Sequence, residues 1–245
     1  MKRLFCKLIA AAGVVCLFAM HAQASVVITG TRVVYPAQER EVSVRLTNNG
    51  KLPALVQVWI DNGDPKEPPE KIEVPFTLTP AMSRLDPGKG QTLRLIYTKE
   101  PLAQDRETLF WLNVLDVPPK VNAQEGANLL QIAVRSRIKL LFRPQGLPGA
   151  AIDAPAKLAW EVVRDGEKGY ALKASNPTPY VVSLGAVELR SGGKVSDAGA
   201  GLIRPGESEL FPLKGVVSTP NPDAEVAYTS INDWGGIVKG SQALR

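Results

Sequence analysis

From residue 25 onward, clusters of Pro, Gly, Asn and Asp cut the chain into short β-branched or alternating runs. No stretch between the breaks carries the 3.6-residue apolar period of an amphipathic helix. Only strands fit. Val26 to Tyr35 ends at Pro36, Glu41 to Thr47 alternates and stops at Asn48-Asn49-Gly50, and Ala54 to Ile60 stops at Asp61-Asn62-Gly63. Phe76 to Met82, Gln91 to Tyr97, Thr108 to Val117 and Asn128 to Phe142 complete a first set of strands whose spacing fits an immunoglobulin-like sandwich. The pattern breaks into Pro and Gly at Arg143-Pro144-Gln145-Gly146-Leu147-Pro148. A weaker set follows: Leu158 to Arg164, Tyr170 to Asn176, Val181 to Arg190, Ser208 to Leu213 and Val226 to Asn232. The expected fold is all-β, with two immunoglobulin-like domains at residues 25–144 and 145–245.

The segment before residue 25 has a different character. Met1-Lys2-Arg3 and Lys7 are basic, Leu8 to Met20 is apolar, and Ala22-Gln23-Ala24 is a small-x-small site. This is the pattern of a secretory signal peptide cut after Ala24, and its apolar run is shorter than the ~20 residues of a membrane span. Cleavage removes Cys6, Cys16 and His21, the only cysteines and the only histidine. A Ser-His-Asp or Cys-His nucleophile and a His/Cys zinc site are then excluded from residues 25–245, and no cofactor or metal is expected. The exported chain must also hold together without disulfides. Its Lys plus Arg count falls from 29 to 26 against 24 Asp plus Glu. Nucleic-acid binding has no basic stripe to rest on.

Catalytic motifs fare no better. Ser136-Arg137-Ile138-Lys139 spells S-x-x-K, but three positions along a strand point to opposite faces, and its partner motifs are missing. No phosphate-binding glycine loop exists, so neither catalysis nor a small-molecule substrate is expected. The four tryptophans are expected to fill cores.

One longer segment is specific. Leu102-Ala103-Gln104-Asp105-Arg106-Glu107-Thr108-Leu109-Phe110-Trp111-Leu112-Asn113-Val114-Leu115-Asp116-Val117-Pro118-Pro119 resembles the signature of periplasmic pilus-assembly chaperones. Thr31-Arg32-Val33, Ile138-Lys139-Leu140-Leu141-Phe142-Arg143-Pro144 and Ile231-Asn232-Asp233-Trp234-Gly235-Gly236 match further parts of the same family. The resemblance implies a boomerang of two sandwiches in the periplasm. Such a protein lends a strand to fimbrial subunits and passes them to an outer-membrane usher, the strand-addition mode called donor-strand complementation. The loop Lys120 to Ala127 looks like that of the short-loop subclass, whereas Ala81-Met82 stands where many members have a Pro-rich turn.

By the same resemblance, Leu130, Ile132 and Val134 form the donor row. Arg32 and Lys139 grip the subunit's terminal carboxylate, and Glu107, Arg143 and Asp233 form an ion network between the domains. Burying the row in a subunit groove offers on the order of 5–9 kcal/mol before ordering costs. The competing reading is that these apolar residues belong to the chain's own core. Arg135 and Arg137 are expected to guard the exposed edge against pairing with a wrong strand, and a second copy of the chain is a candidate partner for that edge. Lys139 is odd-numbered and the row is even. If both face one ligand, a bulge near Arg135 to Arg137 must switch the strand's face. Outside the family, the alternative is a secreted adhesive or structural protein built from the same sandwiches.

Overall fold

Alternation dictates the first domain. In β3 (Val42–Asn48) and β7 (Gly90–Tyr97), Val44, Leu46, Leu93, Leu95 and Tyr97 are buried while Ser43, Arg45, Arg94 and Ile96 face out. The computed structural model describes residues 25–120, 130–166, 169–215 and 223–244. The expected signal peptide and most of the loop before the donor row lie outside these residues. β1 (Val26–Ile28), β3, β7 and β5 (Phe76–Thr79) make one sheet, in the order β1-β3-β7-β5. The facing sheet runs β2-β9-β8-β4-β6, from β2 (Arg32–Pro36), β4 (Ala54–Asp61), β6 (Met82–Leu85), β8 (Thr108–Val117) and β9 (Val134–Arg143).

Between the sheets Tyr35, Phe76, Tyr97, Phe110 and Phe142 form an aromatic cluster, with Tyr97 and Phe142 centroids 4.6 Å apart. The Tyr35 hydroxyl accepts the Tyr97 N–H at 3.1 Å and donates to the Arg40 carbonyl at 3.1 Å, so its polar end is satisfied inside the core.

Two expected strands are each divided. Gly30, at φ +97°, turns the chain between β1 and β2, which then enter opposite sheets. Pro80, without an N–H to donate, ends the Phe76 to Met82 run at Thr79, and Met82 instead opens β6, which continues to Leu85 in the other sheet. Sending one run to both sheets is what closes the sandwich.

The second domain packs β10 (Ala159–Arg164), β11 (Tyr170–Ser175) and β14 (Ser208–Pro212) against a sheet ordered β13-β12-β15-β16. That sheet uses β12 (Val182–Ser191), β13 (Lys194–Ile203), β15 (Glu225–Ile231) and β16 (Ile237–Ala243). Its core is centred on Trp160, Leu172, Leu184, Val187, Leu189, Phe211 and Tyr228. Strands β13 and β16 are additions to the sequence reading. Gly and Ala fill much of β13, a composition poor in strand formers, and it is held by pairing with β12. Among the described residues there are short 3-10 turns and no α-helix.

Candidate functional site

Among the described residues, strand β9 has a neighbour on both sides for only half its length. It pairs antiparallel with β8 from Val134, opposite Asp116, to Phe142, opposite Thr108. Parallel pairing with β2 begins only where Arg32 meets Lys139 and ends at Pro36 opposite Arg143. Residues 134–138 therefore present a free backbone edge in line with the start of β2.

No bulge interrupts β9. The β8 register runs without a shift, so the expected change of face near Arg135 to Arg137 is not there. Ile138, Leu140 and Phe142 face the core, and Val134 and Ser136 fall on that side by alternation. Arg135, Arg137, Lys139, Leu141 and Arg143 fall on the outer side. Ser136 and Lys139 are on opposite faces, as strand geometry requires of that S-x-x-K. Leu130 and Ile132 precede the strand and are 86% and 64% exposed, and Val134 at its first position is 37% exposed. The chain's own core takes in none of the three.

Arg32 and Lys139 are register partners and so project from the same face. The Arg32 Nη1 donates to the Ile231 carbonyl at 3.0 Å, while its buried Nε has no partner among the described residues. The Lys139 Nζ lies 5.4 Å from the Trp111 ring centroid. Among the described residues neither cation has a carboxylate in salt-bridge range. Burial pushes the Lys139 ammonium below its ordinary value, and Arg32 beside it pushes it further. Burial also lowers Arg32, against the attraction of Asp233 and Glu107. Two partly buried, unneutralised cations side by side form a site that gains by accepting an anion.

The ion network comes together at the domain junction. Arg143 donates Nε to Glu107 Oε1 at 2.5 Å and both Nη atoms to Asp233, at 2.7 and 2.9 Å. Glu107 Oε2 accepts the Val181 N–H at 2.7 Å, which ties the first domain to the backbone of the second. Burial pushes the Glu107 carboxyl up, opposed by Arg143 and that N–H. Asp233 is presented by the turn Asn232–Gly236, in which Asn232 Oδ1 accepts the N–H groups of Trp234 and Gly236. Gly235 takes φ +81° there, and a Cβ on it would come within 2.5 Å of Thr31 Oγ1, so only glycine lets the turn approach β2 this closely. A cleft of about 260 Å³ opens beside Arg32 and Arg143, lined also by Leu141, Ile152, Val182 and Trp234.

Sequence reasoning misplaced several residues. Arg135 and Arg137 do not stand free as guards of the edge. They lie on the outer face, over the Trp59 ring at 4.8 Å and the Trp111 ring at 4.1 Å from the centroids. Beneath them Asp61 and Asn113 are fully buried. Arg137 grips Asp61 with two bonds of 3.0 and 2.5 Å, and Arg135 grips Asn113 Oδ1 with two of 2.9 and 2.7 Å. Burial works against the Asp61 charge, yet Arg137, Asn113 and Gly63 hold its pKa below the ordinary carboxylate value. Of the four tryptophans only Trp160 is a core residue as expected; Trp59 and Trp111 support guanidinium groups, and Trp234 is 82% exposed. The signal was available in the odd-numbered cations of β9 and the odd-numbered Trp59 and Trp111. Among the described residues no three His, Cys, Asp or Glu side chains gather as metal ligands.

On a pair of β-sandwiches, a strand paired on one side for half its length thus lies beside two cations without carboxylate partners among the described residues. Residues 25–148 match the model of "Pili and flagellar-assembly chaperone, PapD N-terminal domain", and residues 153–242 match "Pili assembly chaperone PapD, C-terminal domain". The chain belongs to the pilus-assembly chaperone family. It is 44% identical over 231 residues to the probable fimbrial chaperone YadV of Escherichia coli K12, spanning 93% of each protein. The crystal structure of the YadV chaperone superposes with a TM-score of 0.78 at 42% identity, over 90% of this chain and all of that one. A chain in the structure of Salmonella enterica SafA pilin in complex with the SafB chaperone gives 0.73 at 29% identity, over 91% and 97%.

Proposed function

We propose that this protein is a periplasmic chaperone that completes fimbrial subunits by lending them strand β9 with the segment before it, and then delivers them to an outer-membrane usher. The observation that carries the reading is the end of the β2 pairing at Arg32 and Lys139, where a free strand edge meets two cations without carboxylate partners. The relatives named as fimbrial chaperones, and the pairing of SafB with a pilin, support the same role.

The geometry supports one way for a guest to lie. A guest strand pairs with the edge at residues 134–138 and places its last carboxylate at Arg32 and Lys139. It must then run from residue 134 toward residue 139, parallel to β9 and head to tail with β2. Its side chains alternate between faces as those of β9 do. The even-numbered row Leu130, Ile132 and Val134 can therefore fill the guest's core while the odd-numbered Lys139 holds the terminus on the other face. No change of face is needed. The network of Glu107, Arg143 and Asp233 fixes the cleft in which that terminus sits. The same open edge can pair two copies when no guest is present.

Co-expression with a fimbrial subunit tests the role. A soluble one-to-one complex is expected, and its absence alongside a soluble chaperone would return the protein to the adhesive or structural reading.

A further inference from the structure

Among the described residues, half of β9 lacks a strand neighbour on one side, and the outer-face bonds fall on that same half. Between residues 139 and 143 β9 is held by β8 and β2; between 134 and 138 only β8 pairs with it. Arg135 and Arg137, the two outer-face residues of the one-sided stretch, make the contacts that Lys139 does not. Arg137 reaches Asp61 and the Gly63 carbonyl at 3.1 Å, and Arg135 reaches Asn113 and the Pro65 carbonyl at 2.7 Å. Asn113 also donates to Asp61 at 2.7 Å, so both arginines converge on one carboxylate that is 1% exposed. These bonds bridge three strands, from β9 across β8 to the end of β4 and the turn after it. Trp59 and Trp111 add a flat apolar bed under each guanidinium.

We infer that Asp61 is a positioning residue for the strand-binding edge. Together with Asn113 it anchors Arg135 and Arg137, and this latch takes the place of the missing strand. It keeps residues 134–138 extended, with their outward backbone groups ready for a guest. This rests on the reading of β9 as the docking edge. The guest touches the edge and the core face of β9, whereas the latch acts from the far face through the backbone. Preorganisation is its contribution, since an edge that must be straightened on binding gives up part of the binding free energy.

Two measurements on the full chain test it. The first is hydrogen exchange of the β9 amides that bond β8. In Asp61→Asn those of residues 134–138 are expected to exchange roughly tenfold faster, with residues 139–143 and the second domain unchanged. Arg135→Gln, at a partly exposed side chain that leaves the Asp61–Arg137 pair intact, is expected to do the same to a smaller degree. This variant serves if Asp61→Asn fails to fold. The second measurement is binding of a synthetic peptide of alternating leucine and serine with a free carboxyl end, and of its amidated twin. Loosening the latch weakens both peptides by the same factor, whereas Lys139→Met removes the preference for the free carboxylate and leaves exchange at 134–138 unchanged. Wild-type exchange at 134–138 in both latch variants overturns the inference, and so does an equal rise across 139–143 and the second domain. If the wild type binds neither peptide, the docking-edge reading fails instead, and with it the edge's role in the inference, while exchange still decides whether the latch holds the strand.

Discussion

Replacing Arg143 by methionine isolates the chemistry of the domain junction. The Glu107 side chain is 1% exposed and would keep one hydrogen bond, from the Val181 N–H. An ion left buried without its partner costs about 3–5 kcal/mol. A carboxylate has an exit, however, because it can take up a proton. From the ordinary value of 4.5, neutralising it at pH 7 costs ~3.4 kcal/mol at 1.36 kcal/mol per pH unit, and at pH 5 only ~0.7 kcal/mol. The exit caps the penalty. Because burial already places the folded-state pKa of Glu107 above its unfolded value, the group's contribution worsens as pH rises from about 4.5 through the folded value. Loss of Arg143 raises that folded value further and widens the window. Asp233, with 27% of its side chain exposed, can be rehydrated and adds less. Urea unfolding followed by circular dichroism should therefore show a deficit against wild type of up to about 3 kcal/mol at pH 7 that shrinks below about 1 kcal/mol at pH 5. Measured against the single variant Glu107→Gln, the double variant Arg143→Met/Glu107→Gln should show no such pH dependence. Equal deficits at the two pH values, or a larger one at pH 5, would refute the reasoning.

Lys139→Met should weaken binding of a guest with a free carboxyl end at least roughly tenfold, as a lost charge-assisted bond does, with no loss of melting temperature. The folded pKa of this lysine is depressed, so its charge opposes folding at neutral pH, and stability that depends on it rises as pH climbs through the depressed value toward 10.5. Calorimetry of unfolding beside titration with a guest checks both, and a large drop in melting temperature would make the residue structural. Ile132→Ser, alone or with Leu130→Ser, should change stability by no more than about 0.5 kcal/mol, since both side chains are exposed, yet abolish formation of a soluble subunit complex. Unchanged complex formation would remove these residues from the donor row.

Local pattern carried the fold further than it carried the site. Alternation at Gln91 to Tyr97 and Glu41 to Thr47 reads directly as strands with one buried face, and β7 and β3 are there. Alternation cannot say which sheet a residue joins, so Val26 to Tyr35 read as one strand although Gly30 sends its halves to opposite sheets. Lys194 to Ile203 escaped notice because its glycines and alanines have little strand preference, and the pairing partner that makes it a strand lies across a hairpin. Glu107, Arg143 and Asp233 are far apart in sequence, and only family resemblance pointed to their meeting; no periodicity could have. The face of Arg135 and Arg137 was legible, being of the same parity as Lys139. The expectation of a bulge there follows only if anchor and apolar row must share one face, whereas a guest lying edge to edge with β9 can meet both.

The central claim is that the edge of β9 receives a guest strand that runs parallel to it and ends at Lys139. With no cysteine between residues 25 and 245, single cysteines can be placed at residue 132 or residue 136 and at successive positions in the last strand of a co-expressed fimbrial subunit. Disulfide trapping should join residue 136 to positions nearer the subunit's C-terminus than those joined by residue 132. The reverse order, or trapping without positional preference, would contradict the account.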